Sequence, residues 1–151
     1  MAAMSRPLVP DTTVLIDLIR QPRGLPEFQR DVAAGRLYMP SVVIAELYAG
    51  SRSPAESVIL DRIVRAINRI DRMLTPSAEE WATAGRLIAR RIRLHGALRP
   101  RDHLADVLIV VTAARLTGEV VSANRVHMTD WITLARGTGL DVTLADRSRF
   151  E

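Results

Sequence analysis

The sequence predicts an α/β fold: a three-layer α/β/α sandwich around a central, mainly parallel sheet of four to five strands. Short apolar runs typical of buried strands alternate along the chain with segments of helical periodicity. The 151 residues, of which 48% are hydrophobic, suffice for one domain with its own core. No repeat, linker or low-complexity tract divides the chain, so residues 1–151 are expected to form a single domain.

The first half of the chain predicts two strands, each followed by helices. A strand over about residues 7–11 precedes the helix TTVLIDLIR, which is expected to be capped by a hydroxyl, and the helix LPEFQRDVAAGR ends near Gly35. The segment LYMPS predicts the second strand, and SVVIAELYAGSR predicts a helix that ends at Gly50. Pro54 then begins a long helix that reaches about Arg72.

The second half predicts three further strands. RMLTPS indicates the third strand, and the helix after it has Ser77 as its N-cap, Glu80 in capping-box position and Gly96 at its end. ALRPRDH is expected to be a polar loop. LADVLIVVTAARL fits a helix or, by its β-branched content, a strand, and its alanines and length favour the helix. EVVSAN predicts the fourth strand, HMTDWITLARGTG a helix and LDVTLAD the last strand.

The composition excludes several kinds of chemistry. No lysine occurs, so all 21 basic residues are arginine, which excludes P-loop enzymes, Schiff-base enzymes and the usual haloacid-dehalogenase-type phosphatases. The absence of cysteine excludes thiolate metal sites and thiol nucleophiles. No signal peptide or membrane span is evident, so we expect a soluble, cytoplasmic protein. The formal net charge of +4 favours a polyanionic partner.

Three acids lie in otherwise apolar surroundings: Asp11 after LVP, Glu46 within SVVIAELY and Asp106 before VLIVV. Asp11 should point into the crevice at the carboxyl ends of the strands, Glu46 lies in the helix after the second strand, and Asp106 is expected in the first turn of its helix. Taken singly, each fits a helix cap or a salt-bridge partner. Two carboxylates ~4 Å apart repel by roughly 4 kcal/mol at an effective dielectric of 20, so such a cluster needs a compensating cation.

Oxygen ligands without cysteine favour a hard cation, Mg²⁺ or Mn²⁺. Such an ion polarises a phosphodiester oxygen, acidifies a bound water and neutralises charge on the leaving oxygen. The sequence thus indicates hydrolysis of a nucleic-acid backbone with Asp11, Glu46 and Asp106 as metal-binding, catalytic residues. Thr13 fits a supporting residue that hydrogen-bonds a carboxylate or a metal-bound water, or a helix cap.

Three segments, VPDTTVLID, PSVVIAELYAGSR and ADVLIVVTAARLTGEVVSANR, resemble the signature blocks of the PIN domain, specifically of the VapC toxins of type II VapBC toxin–antitoxin modules. The order and spacing match along essentially the whole chain. The resemblance implies a Mg²⁺- or Mn²⁺-dependent endoribonuclease with an RNA substrate. It also implies a homodimer, a higher VapBC hetero-oligomer, inhibition by a cognate VapB antitoxin, and operator DNA binding only through that antitoxin. By motif, the family's first three acids fall on Asp11, Glu46 and Asp106.

The fourth position of the motif differs from the family pattern of Thr, any residue, then Asp or Asn. Here SAN places Ser122 and Asn124 at the end of the fourth strand. The family's downstream Asp-aromatic pair corresponds to Asp130 and Trp131, displaced as though by a small insertion. Asn124 is the favoured fourth metal ligand and Asp130 the lesser candidate, and since Asn124 adds no charge, the number of metal ions stays open.

Other residues allow a structural interpretation. Asp102 precedes Asp106 by four residues but is expected to be an N-cap or loop residue, and Asp17 a structural residue. The three histidines lack metal-ligand spacing and are expected at the surface or in loops, with a supporting role left open for the last two: His95, His103 and His127.

Four arginines predict a basic ridge along one helix, either solvated or in contact with RNA phosphates or an acidic partner: Arg62, Arg65, Arg69 and Arg72. The alternative function is a catalytically silent PIN-like module that binds RNA or a protein partner. A metal-dependent phosphatase is less favoured, because Thr13 stands where an Asp-x-Asp motif needs its second acid.

Overall fold

Five short parallel strands form the centre of the described part of the computed structural model, which covers residues 5–146 and Phe150. They are β1 (Leu8–Pro10), β2 (Met39–Pro40), β3 (Met73–Leu74), β4 (Glu119–Val121) and β5 (Thr143–Leu144). β1 pairs with β4 and β4 with β5, whereas β2 pairs with β3. A parallel bridge between Leu8 and Leu37 joins the two ladders in the order β3–β2–β1–β4–β5. This confirms the predicted parallel sheet.

Seven α-helices of the described residues connect the strands. They are α1 (Thr12–Arg20), α2 (Leu25–Ala33), α3 (Ile44–Ala49), α4 (Pro54–Arg69), α5 (Ala78–His95), α6 (Pro100–Arg115) and α7 (Arg125–Gly137). Short 3-10 turns, Pro22–Gly24 and Ser41–Val43, lead into α2 and α3. α1 packs against α3 and α4, while α5, α6 and α7 pack against one another. The alternation of strands and helices thus produces the α/β/α layers that the sequence predicts.

The core is centred on β1 and α6. Every residue of β1 is buried, as expected for the middle strand of a parallel sheet. Residues 107–113 of α6 are buried without a break, and α6 packs against α5, α7, β1 and β4. A helix that is covered on all sides has a continuous apolar sequence without helical periodicity. The sequence of this segment therefore fits a buried strand as well as a helix. Within the described residues neither α6 nor another helix has the length and apolarity needed to cross a membrane.

The start and end of α5 follow the sequence signals. The Ser77 hydroxyl accepts a hydrogen bond from the Glu80 N–H at 3.1 Å, and the Ser77 N–H donates to Glu80 Oε1 at 3.0 Å, which completes the predicted capping box. The helix ends before Gly96, whose φ of 96° lies in the region that favours glycine.

Three helix starts differ from the sequence prediction. α7 begins at Arg125, two residues before the predicted segment HMTDWITLARGTG, and the other two concern α1 and α6. α1 is capped by the Asp11 carboxylate and not by a hydroxyl, because the side chain that follows β1 lies within reach of the Val14 N–H. ALRPRDH is only partly a loop, because α6 begins at Pro100, which suits a first helical turn. Asp102 is therefore helical and is neither an N-cap nor a loop residue, and Asp106 lies in the second turn of α6 and not in the first.

The predicted basic ridge is also shorter than expected, because α4 ends at Arg69. Asp71, with φ of 56°, turns the chain away before Arg72. The Arg72 guanidinium lies 5.0 Å from the centre of the Tyr38 ring and donates to the Gly35 carbonyl at 3.2 Å. Arg72 thus braces the segment around β2 and does not extend the face of α4.

Candidate functional site

Asp11 is fixed at the junction between β1 and α1. Its N–H donates to the Val121 carbonyl of β4 at 2.9 Å, and the residue is only 2% exposed. Its Oδ1 accepts hydrogen bonds from Thr13 Oγ1 at 2.6 Å and from the Val14 N–H at 3.2 Å. The central strand and the start of α1 therefore hold this carboxylate in one place.

The loop after β4 holds the second oxygen of Asp11. Ser122 Oγ donates a short hydrogen bond to Asp11 Oδ2 and accepts one from the Asn124 N–H at 3.0 Å. In the same way Thr13 Oγ1 donates to Asp11 and accepts from the Ala123 N–H at 3.1 Å. The two hydroxyls thus connect the loops after β1 and β4 through one carboxylate.

Glu46 lies in the first turn of α3, with its side chain exposed. Its Oε2 accepts a hydrogen bond from Thr12 Oγ1 at 2.7 Å. Because Thr12 directly follows Asp11 in the chain, the first turn of α1 sets the position of the second acid relative to the first.

Asp106 of α6 is paired with His127 of α7. His127 Nε2 lies 3.1 Å from Asp106 Oδ2 and 3.3 Å from Trp131 Nε1. An indole N–H only donates, so Nε2 can accept it only when it carries no proton of its own, and Nε2 then has nothing to donate to Asp106. The carboxylate is the stronger partner, and we therefore assign the proton to Nε2 with Asp106 Oδ2 as its acceptor.

The charges of Asp11 and Glu46 both act on Asp106, so the three carboxylates lie in one region. Burial raises the pKa of Asp11 above its ordinary value of 3.8, against the opposing effect of its hydrogen bonds. Burial is also the main reason that the pKa of Asp106 is raised; the nearby His127 opposes this, and the charges of Asp11 and Glu46 add to it. Within residues 5–146 and 150, no arginine forms an ion pair with any of the three acids.

The donor chemistry of these three side chains suits a hard divalent ion. Carboxylate oxygens are the ligands that Mg²⁺ and Mn²⁺ prefer, and in the described residues no arginine offsets the negative charges that act on Asp106. In the described ranges, no three acidic, imidazole or thiol side chains are arranged so that together they could hold a metal ion. Mg²⁺ commonly binds through one or two carboxylates and keeps several waters. An open cluster is therefore suited to an ion that also binds water and phosphate.

Comparison with known proteins identifies the family of the chain. The family model described as PIN domain matches residues 8–128, a range that includes Asp11, Glu46 and Asp106. The chain belongs to the PIN domain family. A chain from the structure of FitAB bound to the IR36 DNA fragment is similar to this PIN domain, with a TM-score of 0.58 and 15% identity over 93% of this chain and 99% of that chain. At that identity the likeness shows the fold alone. No curated protein matches this sequence.

The two candidates for the fourth position of the PIN motif, Asn124 and Asp130, lie in different places. Asn124 directly precedes α7, beside Ser122, with an exposed side chain that makes no capping hydrogen bond. Asp130 is exposed on α7 and lines a groove of about 400 Å³ together with Arg90 and Arg91 of α5. The fold thus brings Asn124 next to the residues that hold Asp11, and it places Asp130 against α5.

The remaining acidic candidates are positioned as follows. Asp102 is exposed on the first turn of α6. Asp17 of α1 lines a cavity of about 380 Å³, whose wall also includes Gln21, Ser122 and Asp146. Since Ser122 donates to Asp11, this cavity lies directly beside the acidic cluster.

Three contacts of the PIN site were not anticipated from the sequence: the hydrogen bonds from Thr12 to Glu46 and from Ser122 to Asp11, and the pairing of His127 with Asp106. The only sequence signal for Thr12 is the pair of hydroxyl residues that follows Asp11. His127 and Asp106 lie on different helices, so no spacing along one element could reveal them. His103, for which a supporting role was open, lies with its ring centre 5.2 Å from that of His127.

Proposed function

We propose that this PIN domain is a Mg²⁺- or Mn²⁺-dependent endoribonuclease and the toxin component of a type II toxin–antitoxin module of the VapC kind. The observation that carries the proposal is the cluster of Asp11, Glu46 and Asp106. Burial and mutual repulsion raise the pKa of Asp106, and no arginine of the described residues pairs with the cluster. Such a cluster is typical of a site that takes its cation from solution.

The residues of the cluster have different tasks in this proposal. Asp11 and Asp106 hold the divalent ion. Thr13 and Ser122 keep both oxygens of Asp11 in a fixed orientation. A bound ion supplies positive charge to the phosphodiester and lowers the pKa of a bound water. Glu46 is the exposed acid of the three, and it accepts the proton of the attacking water.

The proposed substrate is RNA. A net charge of +4, with several acids gathered at one site, leaves the rest of the surface more basic than the total indicates. Arg62, Arg65 and Arg69 are exposed on α4 and fit contacts with a phosphate backbone. Aromatic residues make up only 4% of the chain, which argues against recognition of bases by stacking. The choice of RNA over DNA rests on the resemblance of the three sequence blocks to VapC toxins.

The proposed partner is an antitoxin of the VapB kind, with a toxin homodimer and with operator DNA bound through the antitoxin. The likeness in fold to a chain of DNA-bound FitAB supports a partner of this type. A groove of about 430 Å³ between α1, α2 and α4 supports contact with a protein, because it is lined mainly by apolar side chains such as Ile19, Phe28 and Ile63.

A cleavage assay tests the enzymatic proposal. Purified protein should cleave RNA when Mg²⁺ or Mn²⁺ is present, and a chelator should stop the reaction. Asp106→Asn should abolish cleavage, while Asp102→Asn, one turn earlier on the same helix and exposed, should retain it. Unchanged cleavage by Asp106→Asn would contradict the proposal.

Growth assays test the toxin proposal. Expression of this chain alone should halt growth, and co-expression of its antitoxin should relieve the arrest. The alternative is a catalytically silent PIN-like binding module, which the uncharged Asn124 at the fourth position favours. Retained RNA binding without any binding of divalent ions in calorimetry would support that alternative.

A further inference from the structure

We propose that His127 is a positioning residue for the metal site: its imidazole holds one oxygen of Asp106 so that the other stays free for the cation. The inference rests on the proposed function, because it takes Asp106 to be a metal ligand. It goes further by naming a residue outside the acidic cluster on which the affinity for the ion depends.

One of the two carboxylate oxygens of Asp106 is paired with His127. The Asp106 side chain is paired through Oδ2 with His127 Nε2 at 3.1 Å, and in the described residues no contact of this kind involves its Oδ1. Asp106 lies on α6 and His127 on α7, so the packing of these two helices sets the orientation of the carboxylate. One oxygen is therefore occupied by an imidazole N–H, and Oδ1 is the oxygen available to an ion.

Two aromatic side chains, His103 and Trp131, lie against the imidazole of His127. The His127 ring centre lies 5.2 Å from that of His103 and 6.4 Å from that of Trp131, and the latter two rings are 5.7 Å apart. Trp131 is 3% exposed and lies one turn after His127 on α7. These three rings form a small aromatic cluster between α6 and α7 that restricts rotation of the imidazole. With the Nε2 proton assigned to Asp106, it is the packing of the His103 and Trp131 rings, and not a hydrogen bond from the indole, that supports the imidazole.

Loss of His127 should lower the affinity of the site for the metal ion. Removal of a hydrogen-bonding partner behind a ligand typically lowers metal affinity by about 10- to 100-fold, because the ligand must then be ordered when the ion binds. In the opposite role, the imidazole would occupy Asp106 in place of the ion. Loss of His127 would then tighten metal binding, so the two roles predict changes of opposite sign.

Isothermal titration of Mg²⁺ into the full chain separates these roles. His127→Leu should weaken Mg²⁺ binding by about 10- to 100-fold. His127→Gln should restore most of the affinity, because its amide nitrogen reaches about as far as Nε2 and can donate to Asp106. His95→Leu, which changes an exposed histidine at the end of α5, should bind like the wild type.

A cleavage assay gives the second readout. The Mg²⁺ concentration for half-maximal RNA cleavage should rise in His127→Leu by the same factor, while the rate at saturating Mg²⁺ should stay near that of the wild type. A purely structural role would lower the melting temperature without this selective shift.

Each outcome bears on the inference. Wild-type affinity or tighter binding in His127→Leu would overturn it and leave the proposed function intact. Absence of Mg²⁺ binding by the wild type would overturn both. If His127→Leu does not fold, His127→Gln and His127→Asn provide the comparison, because the asparagine amide is too short to reach the position of Nε2. Equal affinities of these two variants would then overturn the inference.

Discussion

Glu80 and Asp106 are both partly buried acids, but only Glu80 has an arginine beside it. Arg115 Nε donates to Glu80 Oε2 at 3.0 Å, and the Ser77 N–H donates to Oε1 at 3.0 Å. Burial by itself would raise the pKa of Glu80, yet the hydrogen bonds from Arg115 and Ser77 outweigh it, and the pKa lies below the ordinary value of 4.5. At Asp106 burial prevails, and the charges of Asp11 and Glu46 raise the pKa further.

We interpret Glu80 as a structural acid and, under the proposed function, Asp106 as a metal ligand. At the start of α5 the chain supplies its own positive charge, and the acid closes a capping box. At the end of β1 three acids share one region, and their described partners are hydroxyls, a backbone N–H and an imidazole. We expect the first arrangement to serve stability and the second to serve metal binding.

The largest expected difference is in the rate of RNA cleavage after one negative charge is removed from the acidic cluster or from the start of α5. Asp11→Asn should lower the cleavage rate by about 10³-fold, because a catalytic metal ion stabilises the transition state by several kcal/mol. Glu80→Gln should keep a rate close to that of the wild type. Initial rates on a labelled RNA at saturating Mg²⁺ measure both, and a similar loss in the two variants would remove the distinction.

Addition of Mg²⁺ should stabilise the fold through the acids of the cluster. An ion that binds only the folded state raises the free energy of unfolding by about 2.7 kcal/mol at roughly 100 times its Kd. Denaturant unfolding with and without Mg²⁺ should show this increase in the wild type and in Glu80→Gln, but not in Asp106→Asn. The same increase in Asp106→Asn would mean that the ion binds elsewhere.

The pair of Glu80 and Arg115 should contribute to stability whether or not Mg²⁺ is present. Glu80→Gln should lower the free energy of unfolding by about 1 kcal/mol, since the Arg115 side chain is 40% exposed and solvent screens part of the interaction. Glu79→Gln is the matched control, because Glu79 pairs with Arg86 in a mostly exposed position and its loss should matter much less. Equal effects of the two substitutions would show that the pair of Glu80 and Arg115 contributes no more to the free energy of unfolding than an exposed ion pair does.

Much of the fold, and the grouping of Asp11, Glu46 and Asp106 in one region, could be predicted from the sequence, because both depend on local patterns. An apolar strand followed at once by Asp11 marks the carboxyl edge of the sheet, and Ser77 with Glu80 marks a helix start. The position of Asp106 was less exact, since Pro100 begins α6 earlier than its polar residues indicate. Polar residues in a first turn leave a helix start and a loop hard to distinguish.

The supports of the acids depend on contacts that sequence spacing does not encode. Thr12 and Thr13 are adjacent hydroxyls, but successive residues of a helix point about 100° apart, so one reaches Glu46 and the other Asp11. The pairing of Asp106 with His127 joins two helices, and it follows from their packing. Local periodicity predicted the elements and not these contacts.

The smallest expected effect is a pair of opposite pH dependences in metal-free protein. Asp106 has a raised pKa in the folded state, so between its ordinary value of 3.8 and its folded value the folded protein binds more protons than the unfolded chain. Its contribution to the free energy of unfolding therefore falls as the pH rises through that window.

Glu80 should behave in the opposite way because its pKa is lowered. Its contribution to the free energy of unfolding is present above the ordinary value of 4.5 and is lost as the pH falls through the folded pKa. Chemical denaturation with a chelator should show that Asp106→Asn gains stability relative to the wild type as the pH rises, whereas Glu80→Gln loses it. Slopes of the same sign would contradict the assignment of the two acids to different roles.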